Sequence, residues 1–328
     1  MEICYFERNE KAGISIKNVF LILKNRFKRN YSISEYNVPC FRITPINILK
    51  NIFYVYRKRN RGAINHITGD IHYCILGLLG CRNILTIHDL GIIDNNTGVK
   101  RKIIRFFWYS LPVKLSSSVT CISETTKNRL ISEIKCNPNK IYVIYNPINP
   151  IYKFTYKPFA KSPNILHIGT RSNKNLFRVI EAIKGIECSL SIIGDLDEKY
   201  VASLKKYHIK YKNKSDISND EMLEEYINCD IVSFPSTYEG FGLPIIEGQA
   251  VGRVVLTSHI EPMLEIANNA AYFVDPYNVE SIRDGFLNII NNEALRCDLI
   301  NKGIINVKRF SLSNISNQYS VLYQKIFI

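Results

Sequence analysis

Strand-like and helix-like apolar patterns alternate along this chain, and they do so in two successive runs. In the first run MEICYF (1–6) is a short apolar strand, and NVFLILKNRF (18–27) carries its apolar residues at helical spacing. GAINHITG (62–69) and NILTIHD (83–89) are strand-like runs that end in polar loops. SSVTCIS (117–123) and KIYVIYN (140–146) are two more, with a helix between them that Ser123 is placed to cap. The second run starts again with strands at NILHIG (164–169), CSLSIIG (188–194), DIVSFPS (230–236), VVLTS (254–258) and AAYFVDP (270–276). Between and after them lie helix patterns at NLFRVIEAIKGI (175–186), EMLEEYINC (221–229) and VESIRDGFLNIINN (279–292), and ISNQYSVLYQKIF (315–327) closes the chain. Strands alternating with helices at this spacing predict parallel sheets, hence an α/β fold of two Rossmann-like domains. The break between them is NPINPIYKFTYKPFAKSP (146–163), which has four prolines and no periodicity. Two such domains are expected to face a cleft, with ligands beyond the carboxyl ends of the strands.

Composition narrows the class. The 328 residues are 46% hydrophobic and 22% charged, which excludes a disordered or collagen-like chain. No apolar run reaches the roughly 20 residues that a spanning helix requires. The longest, YCILGLLGC (73–81), reads as core, and MEICYFERNE, with three acids, is not a signal-peptide pattern. The nine cysteines include no C-x-x-C pair, which suits reduced cytosolic thiols and neither a zinc site nor a disulfide framework.

Charge adds an asymmetry. Residues 1–150 hold 23 Lys and Arg against 9 Asp and Glu, whereas residues 151–328 hold 20 of each, so the net +14 belongs to the first half. Such a half predicts an anionic partner: a membrane surface, nucleic acid or a phosphorylated substrate. KRKIIRFFWYSLPVKL (100–115) interleaves cations with Phe106, Phe107, Trp108 and Tyr109, a composition that suits a membrane interface or a core helix with a solvated flank. No helix-turn-helix, zinc-finger or RRM signature accompanies the charge, so nucleic acid is not expected.

Candidate chemistry concentrates in the second half. In FPSTYEGFGLPIIEGQAVG (234–252) a strand runs into a glycine loop and then a helix with Pro244 in its first turn. Gly240 and Gly242 permit close backbone approach, and the N–H groups of Phe241, Gly242 and Leu243 would point forward at the positive end of the helix dipole. Glu239 and Glu247, eight residues apart, would face the loop and the helix start, where carboxylates suit sugar or ribose hydroxyls. In HIGTRSNKNL (167–176) Arg171 and Lys174 occupy a strand-to-helix turn, a place for a diphosphate. LTIHDLG (85–91) puts His88 and Asp89 at a strand end in the first half; HITGDIH (66–72) adds His66 and His72, structural or acceptor-side. Asp195-Leu196-Asp197 has the D-x-D spacing of some metal sites, but nothing near it completes a cage and no metal is expected.

Together these residues resemble the retaining glycosyltransferases of group 1, family 4, which have the two-domain GT-B fold. YEGFGLPIIE carries that family's double-glutamate signature and GTRSNKNL its Arg/Lys loop, while LTIHDL, TCISETTKNRL and the closing helix resemble its other segments. KAGISIKNVF looks like its first-domain glycine loop, with Gly13 before the first helix. The resemblance implies an acceptor-side domain at 1–150, a donor-binding domain at 151–312, and a last helix, 313–328, that crosses back onto the first. It implies that Arg171 and Lys174 hold the diphosphate of a nucleotide sugar and that Glu247 binds its ribose. Glu239, Phe241 and Gly242 would face the sugar, with His88 near the reaction centre. Sugar would pass, without cofactor or metal, to a glycan or lipid-linked acceptor at the cytoplasmic face of a membrane, in synthesis of a surface polysaccharide. An epimerase of related fold and a non-catalytic anion-binding module are the competing readings. The sequence departs from the pattern at Gly248-Gln249, where alanine and a small or apolar residue are usual, and YKNKSDISND (211–220) lacks the expected glycine.

Overall fold

The computed structural model describes residues 1–12 and 15–327. Two compact units divide the chain, Met1–Pro147 with Leu312–Ile328, and Ile148–Ser311. Each is built on one six-stranded sheet in which every pairing is parallel. Gly13, assigned above to the first-domain loop, lies outside the described residues.

The first sheet comprises β1 (Glu2–Glu7), β2 (Ser32–Asn37), β3 (Ile64–Ile67), β4 (Asn83–Ile87), β5 (Ser118–Cys121) and β6 (Ile141–Val143), in the order β2-β1-β3-β4-β5-β6. Its inner strands β1, β3, β4 and β5 are buried on both faces, as parallel strands covered by helices must be. Cys4, Phe6, Leu85, Ile87, Val119 and Cys121 pack against Val55, Leu78, Trp108 and Leu130 on one face. The alternate residues turn the other way. There Tyr5 and His66 meet Phe20 of helix Ser15–Phe27 and Tyr319 and Tyr323 of the closing helix, Leu312–Phe327.

That closing helix is fixed to the first unit by a buried polar chain. The hydroxyls of Tyr5 and Tyr323 lie 2.8 Å apart, His66 Nδ1 is 2.9 Å from Tyr323 Oη, and His66 Nε2 is 2.7 Å from Thr86 Oγ1. Thr86 continues it to Thr120 at 2.7 Å. Burial pulls the His66 imidazole down to about 3, so it is neutral and needs no counter-charge. His66 is therefore a structural residue. His72 is another: its Nδ1 donates to the Trp108 carbonyl at 2.9 Å.

The second sheet comprises β7 (Asn164–Ile168), β8 (Ser189–Ile193), β9 (Lys210–Lys214), β10 (Ile231–Phe234), β11 (Val254–Ser258) and β12 (Tyr272–Val274), in the order β12-β11-β10-β7-β8-β9. β9 escapes the hydrophobic pattern because its KYKNK sequence is an exposed edge strand. Its Lys212 and Lys214 hold the buried Glu225 carboxylate at 2.9 and 3.1 Å. The proline-rich break is no free tether, since from Ile148 onward it belongs to the second unit. Asp230 grips it through Lys157 and through the backbone N–H groups of Ala160 and Asn164. Buried Arg253 donates to the Thr155 carbonyl at 3.0 Å.

Segment 100–115 divides where the sequence showed one basic-aromatic stretch. A helix Gly98–Ile104 passes through a π-helical turn, Arg105–Ser110, into Leu111–Leu115. Trp108 and Tyr109 are buried and donate to the carbonyls of Asp70 and Asp89, while Phe106 and Phe107 stay exposed. Only half of its aromatics are therefore available to an interface. Asp197 of the D-x-D pair caps helix Glu198–Lys206, accepting from Tyr200 N at 3.1 Å.

Candidate active site

β7 and β10 are parallel neighbours, so the loops that follow them leave the same sheet edge. The loop after β7 turns at Gly169, where φ is +91° and an added Cβ would stand 2.9 Å from Lys174 Cγ. Glycine is required there because the Lys174 side chain folds back across it. This places Lys174 Nζ 2.6 Å from Glu239 Oε1 and 4.6 Å from the centre of the Phe234 ring. The cation and the carboxylate reach each other from two different loops. Arg171 stands at the start of the short turn Ser172–Lys174, exposed and without an ion-pair partner among the described residues.

The two loops are laced together by a residue that the sequence reading passed over. Asn175 is buried in the left-handed region with φ 67°. Its Nδ2 donates to the carbonyls of Pro235, 3.0 Å away, and Pro276, 2.6 Å away, tying the segments after β7, β10 and β12. Asn173 completes the lacing: its carbonyl accepts from Thr237 N at 2.8 Å and its Nδ2 donates to the Tyr238 carbonyl at 2.9 Å. Asparagine tolerates this conformation better than other non-glycine residues, and that was the available signal. A groove of about 610 Å³ opens beyond β11 and β12, with His259, Asp275 and Ser281 on its walls.

Gly242 caps helix Leu243–Val251 with φ 106°, as the glycine-to-helix pattern anticipates. The first N–H groups of a helix have no intrahelical acceptor and carry the positive end of its dipole. Phe241 turns its ring inward, edge-on to Phe310 at 5.7 Å, leaving only its backbone to the loop. Glu247 lies one turn inside the helix, half-buried, and accepts a 2.6 Å hydrogen bond from Tyr226 Oη. Burial pushes its carboxyl up to about 7, with the Tyr226 hydroxyl opposing that rise. Nothing in the sequence pointed to Tyr226 as its partner.

The departure at Gly248-Gln249 is explained by packing. A Cβ on Gly248 would lie 2.8 Å from Val232 Cγ2, so the helix rests directly on β10. Gln249 is buried, donates to the Ala270 carbonyl at 3.0 Å and accepts from Asn306 Nδ2 at 2.9 Å. Its Cγ would be 3.1 Å from a Cβ at Gly303. The unusual pair is thus matched by Asn306 and Gly303 on helix Glu293–Val307.

In the first unit His88 directly follows β4, buried, with Nε2 donating to the Thr68 carbonyl at 2.7 Å. A carbonyl only accepts, so the proton sits on Nε2. Burial lowers its basicity and keeps the ring neutral. Asp89 beside it is raised, chiefly by burial, and accepts from Gly91 N at 2.8 Å.

Comparison with known proteins bears directly on this arrangement. The model described as Glycosyl transferases group 1 matches residues 150–305, and that described as Glycosyltransferase Family 4 matches residues 25–151. The chain belongs to the group 1, family 4 glycosyltransferases. An uncharacterized glycosyltransferase of Methanocaldococcus jannaschii is 26% identical, over 93% of this chain and 83% of that one. The N,N'-diacetylbacillosaminyl-diphospho-undecaprenol alpha-1,3-N-acetylgalactosaminyltransferase of Campylobacter jejuni is 21% identical, over 87% of this chain and 83% of that one. Among solved structures, Anabaena HepE in complex with UDP and glucose superposes with a TM-score of 0.78 at 13% identity, covering 99% of this glycosyltransferase and 100% of HepE. That likeness establishes the GT-B fold.

Proposed function

We propose that this glycosyltransferase moves a sugar from a nucleoside diphosphate sugar to a glycan or lipid-linked acceptor, with retention of anomeric configuration. The observation that carries the reading is the Lys174–Glu239 pair, 2.6 Å apart beside the start of a glycine-capped helix. Arg171, Lys174 and the N–H groups at Gly240–Leu243 receive the diphosphate. Their positive charge stabilises the leaving group where its negative charge develops, so no divalent metal is needed. Glu247 accepts from the ribose hydroxyls. Once the diphosphate engages Lys174, Glu239 turns to the sugar. The bond from the anomeric carbon to the diphosphate oxygen breaks with its electron pair on that oxygen. The acceptor hydroxyl bonds to the anomeric carbon on the same face, and its proton passes to the departing oxygen. His88, a neutral hydrogen-bonding group, is assigned to the acceptor side of the first unit.

The Campylobacter relative acts on a diphospho-undecaprenol-linked sugar by its name, and HepE binds UDP. The first supports a lipid-linked or glycan acceptor here and the second a nucleotide donor, and we propose that transfer serves polysaccharide synthesis on the cytoplasmic side of a membrane. No helix among the described residues is long and apolar enough to cross one. The test is incubation with a panel of nucleotide sugars and acceptors in chelator, with the product's anomeric configuration read by NMR. Transfer that survives Glu239→Ala unchanged would overturn the site. Turnover of donor alone into an epimer would assign the competing chemistry.

A further inference from the structure

Tyr226 and Glu247 belong to two helices, Asn219–Asn228 and Leu243–Val251, that meet inside the second unit. The phenol is fully buried, and its hydroxyl donates to Glu247 Oε2 at 2.6 Å. That length is the one a hydroxyl adopts on a charged carboxylate. Three further contacts fix the tyrosine. Tyr152 packs edge-on against its ring, 5.4 Å between centres. Buried Arg253 donates through Nε to the Tyr226 carbonyl and through Nη2 to the Ile227 carbonyl, each at 3.0 Å. Arg253 directly follows Gly252, the left-handed cap that ends the Glu247 helix. The two helices are therefore joined twice through one residue: its hydroxyl holds the carboxylate, and its carbonyl receives the guanidinium.

This contact divides the Glu247 carboxylate. Oε2 is taken by Tyr226, whereas Oε1 has no hydrogen-bond partner among the described residues on a side chain that is only half-buried. No Lys or Arg among them pairs with Glu247, and the titratable groups that face it are Tyr226 and Tyr152. Burial first, and then the Glu247 charge, push the Tyr226 phenol far above its ordinary range, so it keeps its proton and donates. Such a donor favours the carboxylate over the acid and opposes the burial that raises Glu247. A link that only fastened two helices would leave both carboxylate oxygens enclosed; here one is held and the other is left open.

We propose that Tyr226 is a positioning residue for nucleotide recognition: its hydroxyl holds Glu247 by Oε2 and thereby presents Oε1 to a ribose hydroxyl. This role rests on the reading of Glu247 as the ribose acceptor and adds a residue that itself touches no ligand. The experiment is calorimetric binding of uridine and guanosine diphosphates, each beside its 2′,3′-dideoxy form, to the full chain and to Tyr226→Phe, Glu247→Gln and the double variant. Tyr226→Phe removes one oxygen and keeps the ring against Tyr152, and a melting curve checks its fold. The ratio of ribose to dideoxy affinity is read on one sample, so any unfolded fraction cancels from it. The wild type prefers the ribose form of whichever nucleotide binds. Tyr226→Phe weakens that form by about tenfold, the loss expected for a hydrogen bond to a charged group. It weakens the dideoxy form by less than about twofold, and it adds less than about twofold to Glu247→Gln, because the effect runs through that carboxylate. The pH below which ribose-form affinity falls moves upward in Tyr226→Phe, since the donor that favours the carboxylate is gone. Equal losses on the ribose and dideoxy forms, or an unmoved pH profile, make Tyr226 a packing residue and overturn the proposal while Glu247 keeps its role. A wild type that binds both forms equally takes the ribose away from Glu247 and overturns the two together.

Discussion

The two units share a six-stranded parallel sheet and differ in where they place charge. The first holds 24 Lys and Arg against 9 Asp and Glu, the second 19 against 20. In the second, the cation at the sheet edge is paired and aimed: Lys174 sits on Glu239 within loops that Asn175 and Asn173 bind together. In the first, Lys50, Arg57, Lys100 and Lys102 stand exposed beside exposed Leu49, Phe53, Val99 and Ile103. A compact, preorganised anion site suits a small ligand such as a diphosphate. The two units thus differ in how tightly their cationic side chains are held.

The comparison breaks most readily at Lys174. Lys174→Ala is expected to lower transfer by about 10²–10³-fold, the loss typical of removing one preorganised group that stabilises developing negative charge. Steady-state kinetics on the purified variant measure it, and a change below threefold would return Lys174 to a structural role.

Next is the seat of the glutamate-bearing helix. Gly248→Ala drives a methyl onto Val232 and should cost about 1–3 kcal/mol, as overpacking does. The generic helix preference of alanine over glycine, about 1 kcal/mol, points the other way. Denaturant unfolding that shows a more stable variant would refute the direct contact of helix and sheet.

Glu247 sharpens the contrast through pH. Its carboxyl is raised to about 7 from the ordinary 4.5, so the folded state holds that proton more tightly than the unfolded chain. Its contribution to stability is complete below about 4.5 and is lost as pH rises through 7. A ribose hydroxyl donating to the carboxylate needs the deprotonated form. Nucleotide affinity should therefore weaken by up to about tenfold per pH unit below 7. Titration calorimetry from pH 5.5 to 8 reads this, and Glu247→Gln should abolish the slope.

The smallest effect is expected on the outward face of the first unit. Phe53→Ser should shift unfolding free energy by no more than about 0.5 kcal/mol, since the side chain is mostly in water. A larger loss in a thermal or denaturant melt would mean that the ring supports the fold.

Much of this is legible in the amino-acid sequence. The alternating patterns located ten of the twelve strands among the described residues, and the glycine–proline framing of Glu239 and Glu247 marked the loop-to-helix turn. β2, SISEYN, and β9, KYKNK, escaped because edge strands shed the apolar pattern. Ser123 was readable as a cap, and its hydroxyl accepts from Thr126 N at 3.0 Å. Tyr226 was not readable as the partner of Glu247, because the two are 21 residues apart and only the packing of their helices joins them. Trp108 and Phe107 are chain neighbours of like composition, yet one is core and the other surface. Helix Pro45–Lys58 was not read from the sequence; its apolar residues include buried Val55 as well as exposed Ile46, Leu49 and Phe53, and spacing does not say which side is covered.

By itself the sequence determined the periodicities, the caps, the turn glycines and the uneven charge, because these are properties of neighbouring residues and of composition. Tertiary structure decided which cation meets which carboxylate, which histidines are buried and neutral, and which apolar stripe remains in water. Those outcomes depend on distances between segments far apart in the chain, and on the local dielectric that only packing creates.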